Sequence, residues 1–380
     1  MFMRPSACLL TLVAALPFHA LAADQVIRIG SVSPLSGQSA HQGKDTENGA
    51  RMAVADLNAR GFTINGKKVR FELLAEDDAA DPKQGTMAAQ KLIDAKVAGV
   101  VGHLNSGTTV PASKLYHSAG IAQISPAATT PYYTRQGFNT AFRVVANDSK
   151  VGATLGSYAV RRLKARRIAV IDDRTAFGQG LADEFVKSVR RIGGAAIVSR
   201  QFTHDKATDF NAILTQVKSK QPDLIFYGGM DAVAGPMLKQ MQALAIRVPF
   251  VSGDGVCSEK LPQLAAEGLG ENRVTCAVAG GVTGPQEKGM ADFTERYRKT
   301  YQLELQTYAP YAYDAVMVLA TAMQNAKSAD PARYLPALAK IRYQGVTGNI
   351  AFDARGDLRN AAMTLYTYRG GKKTKLEVLR

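Results

Sequence analysis

The sequence predicts an α/β protein built from two doubly wound units. Short apolar runs rich in β-branched residues alternate with helical patterns along almost the whole chain. This alternation is typical of parallel sheets that are covered by helices on both faces. The series restarts after the segment RVVANDSK (143–150), and 380 residues are enough for two hydrophobic cores. Two consecutive units of similar size are therefore expected.

The first 23 residues have the features of a cleaved secretory signal peptide. Arg4 provides a positive start, a largely apolar stretch follows, and Ala20-Leu21-Ala22 fits the small-x-small cleavage rule. The apolar stretch is too short to span a bilayer comfortably. We therefore expect an exported protein that is cleaved near Ala22 or Ala23.

The chain is basic, with 47 Lys and Arg residues against 32 Asp and Glu residues. Such an excess can indicate a nucleic-acid partner or an anionic surface. Here the basic residues are dispersed, and the clusters are as short as Arg161-Arg162 and Arg166-Arg167. A solvated basic surface is the favoured interpretation, and no nucleic-acid partner is predicted.

Apolar spacing and turn residues define the elements of the first unit. Ala50, Ala53 and Leu57 fall on one face of a helix that ends at Gly61. Asn65-Gly66 is a tight-turn signal ahead of a strand. The other predicted strands and helices, in order, are Val26–Val32, Thr46–Arg60, Lys83–Ala95, Gly99–Gly102, Val110–Ala119 and Ile121–Ser125.

The second unit repeats the same alternation. A helix with Leu181, Phe185, Val189 and Ile192 at helical spacing ends at Gly193-Gly194. Each sheet should present the carboxyl ends of its strands at the edge of a cleft, where open α/β sheets bind ligands. The predicted elements, in order, are Arg167–Asp172, Leu181–Ile192, Ala195–Phe202, Phe210–Lys218, Leu224–Tyr227, Met237–Leu244 and Pro249–Ser252, followed by helices Lys288–Tyr301 and Tyr311–Asn325.

Nucleotide-binding and catalytic motifs are missing from the sequence. The segment GFTINGKK (61–68) nearly has Walker A spacing, but Lys68 replaces the Ser or Thr, and a strand follows, so a hairpin turn is favoured. The acidic doublets Asp77-Asp78 and Asp172-Asp173 point to opposite faces of a strand and make no acid–base pair alone. We predict no enzyme, no cofactor and no metal. The histidines of the mature chain, which have no i,i+4 histidine partner, are His41, His103, His117 and His204.

The mature chain contains two cysteines, Cys257 and Cys276. In an oxidising compartment an even pair indicates a disulfide. Metal binding is the alternative, but no histidine or further cysteine lies at ligand spacing from either residue. A disulfide is therefore favoured, and closing its loop would add roughly 3 kcal/mol of stability.

The segment VGHLNSGTTVPASK (101–114) leaves a strand and enters a helix through Ser106, Thr108 and Thr109. Free N–H groups at a helix start favour an anion, and small hydroxyls add donors. An ordinary N-cap by Thr108 or Thr109 is equally compatible with this stretch alone. A second strand exit rich in Ser and Thr, QISPAATTPYYT (123–134), follows one βα unit later, which favours an anion site shared by both segments.

Six segments resemble, in order and in spacing, the periplasmic leucine/isoleucine/valine-binding proteins of bacterial ABC importers. They are VGHLNSGTTVPASK, ISPAATTP, EDDAADPKQ, FGQGLA, FYGGM and SGDGV. The resemblance runs from IRIGSVSPLSGQSAHQG to FDARGDLRNA. It implies a type I periplasmic-binding-protein fold, with two α/β lobes joined by three hinge crossings. The lobes it implies are residues 24–146 plus 280–350 and residues 147–279 plus 351–380.

The resemblance also implies a binding site for a free amino acid. It places Ser106, Thr129 and the backbone around Asn105 and Ala127 on the ligand's carboxylate. It places Asp254 opposite the ligand's ammonium group, with Ser106 and Thr129 close by.

The side-chain pocket departs from the family pattern. Phe177 and Met230 stand where the family usually has tyrosines, and Gln42 stands where an aromatic residue is common; Gly255 completes the pocket. A disulfide position of several relatives is occupied by Ala80 and Asn105. The pairing expected here, Cys257 with Cys276, lies on the other lobe.

The resemblance implies a periplasmic, monomeric protein that delivers a branched-chain or other apolar amino acid to an inner-membrane ABC permease. The first alternative is the same fold binding an amide, a small aromatic acid or an acidic amino acid. The second is a secreted α/β hydrolase or transferase.

Overall fold

A computed structural model of the protein describes residues 25–379, so the predicted signal peptide lies outside the described residues. Two main sheets, each with helices on both faces, confirm the predicted α/β class. The first sheet has six strands in the order β2-β3-β1-β4-β5-β6, all parallel except β2. Its strands are β1 (Gln25–Ser33), β2 (Thr63–Ile64), β3 (Lys67–Asp77), β4 (Gly99–Gly102), β5 (Gln123–Ser125) and β6 (Ala141–Arg143).

Helices of the first part of the chain alternate with these strands. Two more helices, from late in the sequence, complete this lobe: α10 packs against α1, and α11 packs against α10. The helices are α1 (Ala40–Ala59), α2 (Pro82–Asp94), α3 (Ser106–Ser118), α9 (Gln286–Tyr301), α10 (Ala309–Asn325) and α11 (Pro331–Ala339), with a small ribbon of β12 (Tyr343–Gly345) and β13 (Gly348–Ile350).

The second sheet has seven strands in the order β15-β14-β11-β10-β9-β7-β8. Strand β14 pairs antiparallel with β11, and β15 pairs antiparallel with β14; the sequence pattern did not indicate this antiparallel edge. The strands are β7 (Arg167–Asp172), β8 (Ala196–Phe202), β9 (Leu224–Gly228), β10 (Phe250–Ser252), β11 (Val274–Val278), β14 (Met363–Arg369) and β15 (Lys372–Leu379). Its helices are α4 (Asp148–Ser157), α5 (Ala176–Ile192), α6 (Asn211–Ser219), α7 (Asp231–Ala243) and α8 (Leu261–Ala265).

Four helices begin about one turn or more before the predicted residue. The residues missed at their starts are mostly polar or small, and single apolar residues such as Phe177 in α5 and Val233 in α7 give no apolar periodicity to recognise. In α3 this places Pro111 in the second turn, whereas a helix beginning at the predicted Val110 would have it in the first. The affected helices are α1, which starts at Ala40 rather than Thr46, α3 at Ser106 rather than Val110, α5 at Ala176 rather than Leu181, and α7 at Asp231 rather than Met237.

The Asn65-Gly66 turn joins β2 and β3 as an antiparallel hairpin, which confirms the hairpin interpretation of GFTINGKK. Asn65 has φ 51° and Gly66 has φ 73°, both in the left-handed region that Asn and Gly tolerate best. Ile64 pairs directly with Lys67 across the turn. Lys67, at the lysine position of the Walker-like segment, and Lys68, at its Ser or Thr position, therefore both lie on a strand and not at a helix start.

Cys257 and Cys276 form the predicted disulfide. Their Cα atoms are 5.5 Å apart, and both residues are fully buried. The bond ties the segment that follows β10 to the neighbouring strand β11. Within residues 25–379, no helix is long and apolar enough to span a bilayer.

Candidate functional site

The two sheets turn the carboxyl ends of their strands toward a common cleft. On the first sheet, β4 leads to Ser106 and β5 leads to the loop that contains Thr129. On the second sheet, β10 leads to Asp254. Strand ends of open α/β sheets are the usual place for a ligand, and the polar side chains gathered here are buried.

The start of α3 supplies hydrogen-bond donors to the cleft. Ser106 is buried, and its Oγ accepts the Thr130 N–H at 3.4 Å, which leaves the Ser106 O–H available to donate. Thr108 and Thr109 instead donate their hydroxyls to the carbonyl of Asn105, at 3.0 and 2.8 Å. Asn105 is the N-cap residue and makes no side-chain cap. Capping of this helix by Thr108 or Thr109 is therefore wrong, and of the three hydroxyls only Ser106 is left free to face a ligand.

A buried arginine fixes the loop after β5 by hydrogen bonds to its backbone. Arg143 is fully buried and donates to the carbonyls of Ala128 and Thr130, at 2.8 and 2.9 Å. These two contacts flank Thr129. Asp357 neutralises Arg143 at 2.6 Å, and Asn147, at the start of α4, donates to the same carboxylate at 3.1 Å. The loop that carries Thr129 is thereby fixed to two chain segments that cross between the lobes.

Asp254 faces the cleft from the second sheet. It is 2 % exposed, and its Oδ2 accepts the hydroxyl of Tyr308 at 3.1 Å. Its Oδ1 is buried and has no hydrogen-bond partner within residues 25–379. Burial raises the pKa of Asp254 to about 7, against the opposing hydrogen bond from Tyr308. A buried carboxylate with a free oxygen is suited to a cationic partner.

Asp148 is a second buried carboxylate beside this cleft, and the sequence did not single it out. Its backbone N–H donates to the Thr129 carbonyl at 2.8 Å. Burial, opposed by the nearby Thr129 hydroxyl and assisted by the charge of Asp254, raises the pKa of Asp148 to about 8. Neither of its carboxylate oxygens makes a hydrogen bond of ordinary geometry within the described chain. The two acids together create a region that favours positive charge.

The predicted side-chain pocket is brought together around Gly255. A Cβ atom at Gly255 would lie 2.8 Å from both Met230 Sδ and Phe177 Cε1, so only glycine allows these side chains to approach so closely. Gln42, from the other lobe, donates from Nε2 to the Gly255 carbonyl at 3.2 Å. Its Oε1 is buried without a hydrogen-bond partner in residues 25–379.

A small apolar cluster closes the cleft beside these residues. Leu104, Ala127 and Tyr308 pack together, and Met230 packs against them from the second lobe. Leu104 and Tyr308 were not predicted as site residues. Both look like ordinary core residues in the sequence, and only the tertiary contacts bring them to the cleft.

The chain is similar to known proteins along most of its length. The family model described as periplasmic binding protein matches residues 26–373. Leu/Ile/Val-binding protein homolog 1 of Brucella abortus is 34% identical over 364 residues, which cover 94% of each chain.

Two solved structures share the fold. The branched-chain amino acid transporter substrate binding protein LivJ of Streptococcus pneumoniae, solved in complex with isoleucine, has a TM-score of 0.83 and 29% identity, covering 93% of this chain and 99% of that one. The leucine binding protein LivK of Thermotoga maritima has a TM-score of 0.84 and 24% identity, with coverage of 93% and 99%.

Proposed function

The chain belongs to the periplasmic binding protein family, and from this membership we propose that it is the solute-binding component of an ABC importer for a free branched-chain or other apolar L-amino acid. The observation that carries the proposal is the chemistry of the buried cleft. Hydroxyls and a helix start lie on one lobe, two carboxylates lie opposite, and an apolar cluster fills the space beside them. An amino-acid zwitterion needs these three features.

The ligand's carboxylate binds at the start of α3 and at the loop after β5. Ser106 and Thr129 donate hydroxyls there, and the backbone around Asn105 and Ala127 adds N–H donors. The dipole of α3 favours the negative charge without adding a counter-charge to the site.

The ammonium group binds at Asp254, with Ser106 and Thr129 at its edge. Asp254 Oδ1 has no partner among the described residues, so a cationic donor can bind there without breaking a hydrogen bond within the protein. Asp148 contributes a second negative charge to the same region. Two acids facing one cation also select against ligands that lack an amino group.

The ligand's side chain lies among Gln42, Phe177, Met230 and Gly255. Phenylalanine and methionine offer apolar contact where a tyrosine would bring a hydroxyl, which favours an aliphatic side chain. None of the positions assigned to the site is basic, so an acidic side chain would have no counter-charge.

Binding couples the ligand to closure of two lobes, residues 24–146 plus 280–350 and residues 147–279 plus 351–380. The carboxylate site belongs to the first lobe and Asp254 to the second. A ligand that contacts both lobes only when they meet stabilises the closed form by the difference in its contacts.

The protein acts as a monomer in the periplasm after removal of residues 1–23, and it delivers its ligand to an inner-membrane permease. Support for export comes from the leader pattern and from the disulfide, which persists in oxidising compartments.

A thermal-shift screen of the twenty amino acids, with common amides and small aromatic acids, tests the function. Leucine, isoleucine and valine should raise the melting temperature most, because a ligand that binds only the native state stabilises it in proportion to its affinity. Isothermal calorimetry then measures each affinity. Stabilisation by an aromatic acid or an amide alone would reassign the ligand class, and turnover of any amino-acid derivative would favour an enzyme.

A further inference from the structure

We propose that His41 and Asp231, termed the closure pair, hold the two lobes together around the bound ligand. This proposal rests on the proposed function, because the closure pair acts on the affinity of that same cleft. His41 is a positioning residue in this view: it stabilises the closed arrangement without being assigned to the ligand.

The closure pair joins elements of different lobes. His41 is the second residue of α1, which packs on β1, β3 and α10 of the first lobe. Asp231 is the first residue of α7, which packs on α8 of the second lobe. His41 Nε2 lies 2.7 Å from Asp231 Oδ2, a full hydrogen bond between residues 190 positions apart. This bond exists only while the lobes are in contact.

Burial makes the contact energetically significant. Asp231 is 0 % exposed, and the side chain of His41 is 13 % exposed. Ser258 donates its hydroxyl to the same Asp231 oxygen, so this side of the carboxylate has two donors. A buried carboxylate that loses one donor pays a desolvation penalty, whereas the same carboxylate in an open cleft is hydrated. His41 therefore favours the closed form over the open one.

The next residue reinforces the same contact. Gln42 donates across the cleft to the Gly255 carbonyl at 3.2 Å, so consecutive residues of α1 make two bonds to the second lobe. The hydrogen bond between His41 and Asp231 joins the two lobes and does not hold either lobe together internally. Removing the His41 imidazole should therefore leave each lobe folded and change only the balance between open and closed forms.

The energetic consequence falls on ligand release. Apparent affinity is the intrinsic affinity of the closed form multiplied by the fraction of protein that can close. A contact formed after the ligand has docked slows dissociation and leaves association nearly unchanged. His41→Ala should thus raise the leucine dissociation rate constant about tenfold, as expected for the loss of one hydrogen bond to a charged group.

The experiment combines stopped-flow kinetics, calorimetry and small-angle X-ray scattering on the mature protein. His41→Ala should weaken leucine binding through faster dissociation, and should need more leucine to reach the compact scattering profile. His41→Gln, which keeps a donor at a similar reach, should recover part of the affinity. Ligand-free melting temperatures of the variants should match the wild type.

Two further comparisons make the result decisive. His204→Ala removes an exposed histidine of the second lobe and should bind leucine as the wild type does. In a double-mutant cycle with Asp231→Asn, the two losses should be strongly non-additive. Wild-type kinetics and scattering in His41→Ala would overturn the closure pair alone. A wild-type protein that binds no amino acid would instead overturn the proposed function.

Discussion

At the residue scale, Asp254 is the position where charge should matter most. Asp254→Asn keeps the shape of the side chain but removes the charge that faces the ligand's ammonium. Affinity for leucine should fall by about 2–5 kcal/mol, because truncating one partner of a buried charge pair leaves the other unpaired. Calorimetry measures the loss directly.

Asp314→Asn is the matched control for Asp254. Asp314 is equally buried, but it holds the backbone of Val346 and Thr347 at 3.0 and 2.8 Å, away from the assigned site. This variant should lower the melting temperature and leave leucine affinity unchanged. Near-normal leucine binding by Asp254→Asn would remove Asp254 from the ammonium site.

Ser106 allows a second test at the same scale. Ser106→Ala removes a hydroxyl donor from the carboxylate site, so leucine binding should weaken by about 1–3 kcal/mol. Ser113→Ala is the control, because Ser113 is buried on the same helix and donates inward to the Val110 carbonyl at 2.7 Å. Equal leucine titrations for Ser106→Ala and the wild type would contradict the assignment.

Some residues of the cleft can be predicted from the sequence, and others cannot. Ser106 and Asp254 stand in segments whose order and spacing resemble a known family, and the structure places both at one buried cleft. Asp148 follows Asn147, which caps α4 through its side chain, so the pair looks like an ordinary helix start. Its proximity to Asp254 arises only when α4 packs on α5 of the second lobe.

At the scale of secondary-structure elements, polar helix starts explain where sequence reasoning fails. The early turns of α1 and α3 carry Gln42 and Ser106, which are polar and lie at the cleft. The start of α2 is predicted closely, at Pro82 against a predicted Lys83; Asp81 caps this helix through its side chain, and Pro82 stands at its first position. The antiparallel β14 and β15 were not anticipated, since a strand-rich tail can pair with either sheet until the tertiary fold is known.

The disulfide between the segment after β10 and β11 gives an element-scale prediction. Replacing both Cys257 and Cys276 with alanine should lower the free energy of unfolding by about 3 kcal/mol, because the cross-link closes a loop and so reduces the conformational entropy of the unfolded chain. Urea denaturation measures this change. The reduced wild-type protein should behave like the double variant, and a reduced protein as stable as the oxidised one would contradict the prediction.

At the scale of the whole molecule, stability and binding should depend on pH in opposite ways. The pKa of Asp148 is raised to about 8 and that of Asp254 to about 7, both by burial, from an ordinary value of 3.8. The folded closed form therefore binds more protons than the unfolded chain between pH 4 and 8. As the pH rises and these two carboxyl groups lose their protons, the free energy of unfolding should decrease.

A bound ammonium group favours the charged carboxylates, so ligand binding should release protons near pH 7. The melting-temperature gain from leucine should be larger at pH 8 than at pH 5.5. Calorimetry in two buffers of different ionisation enthalpy measures the protons released. Asp148→Asn should reduce that number, and a gain independent of pH in the wild type would argue against the carboxylate pair as the ammonium site.

The C-terminal third of the chain contributes helices to the first lobe and strands to the second sheet, and this limits the order in which the chain can fold during synthesis. The hydrogen bond of Arg143 can form only after Asp357, 214 residues later, has been synthesised, and α1 can pack only after α10 has been synthesised. The second sheet is complete only when β14 and β15 have been made. Neither half can therefore finish folding while the chain is still being synthesised, and pairing over such distances is slow. A nascent chain that stays open until its last residues are made is well suited to being threaded through a membrane before it folds.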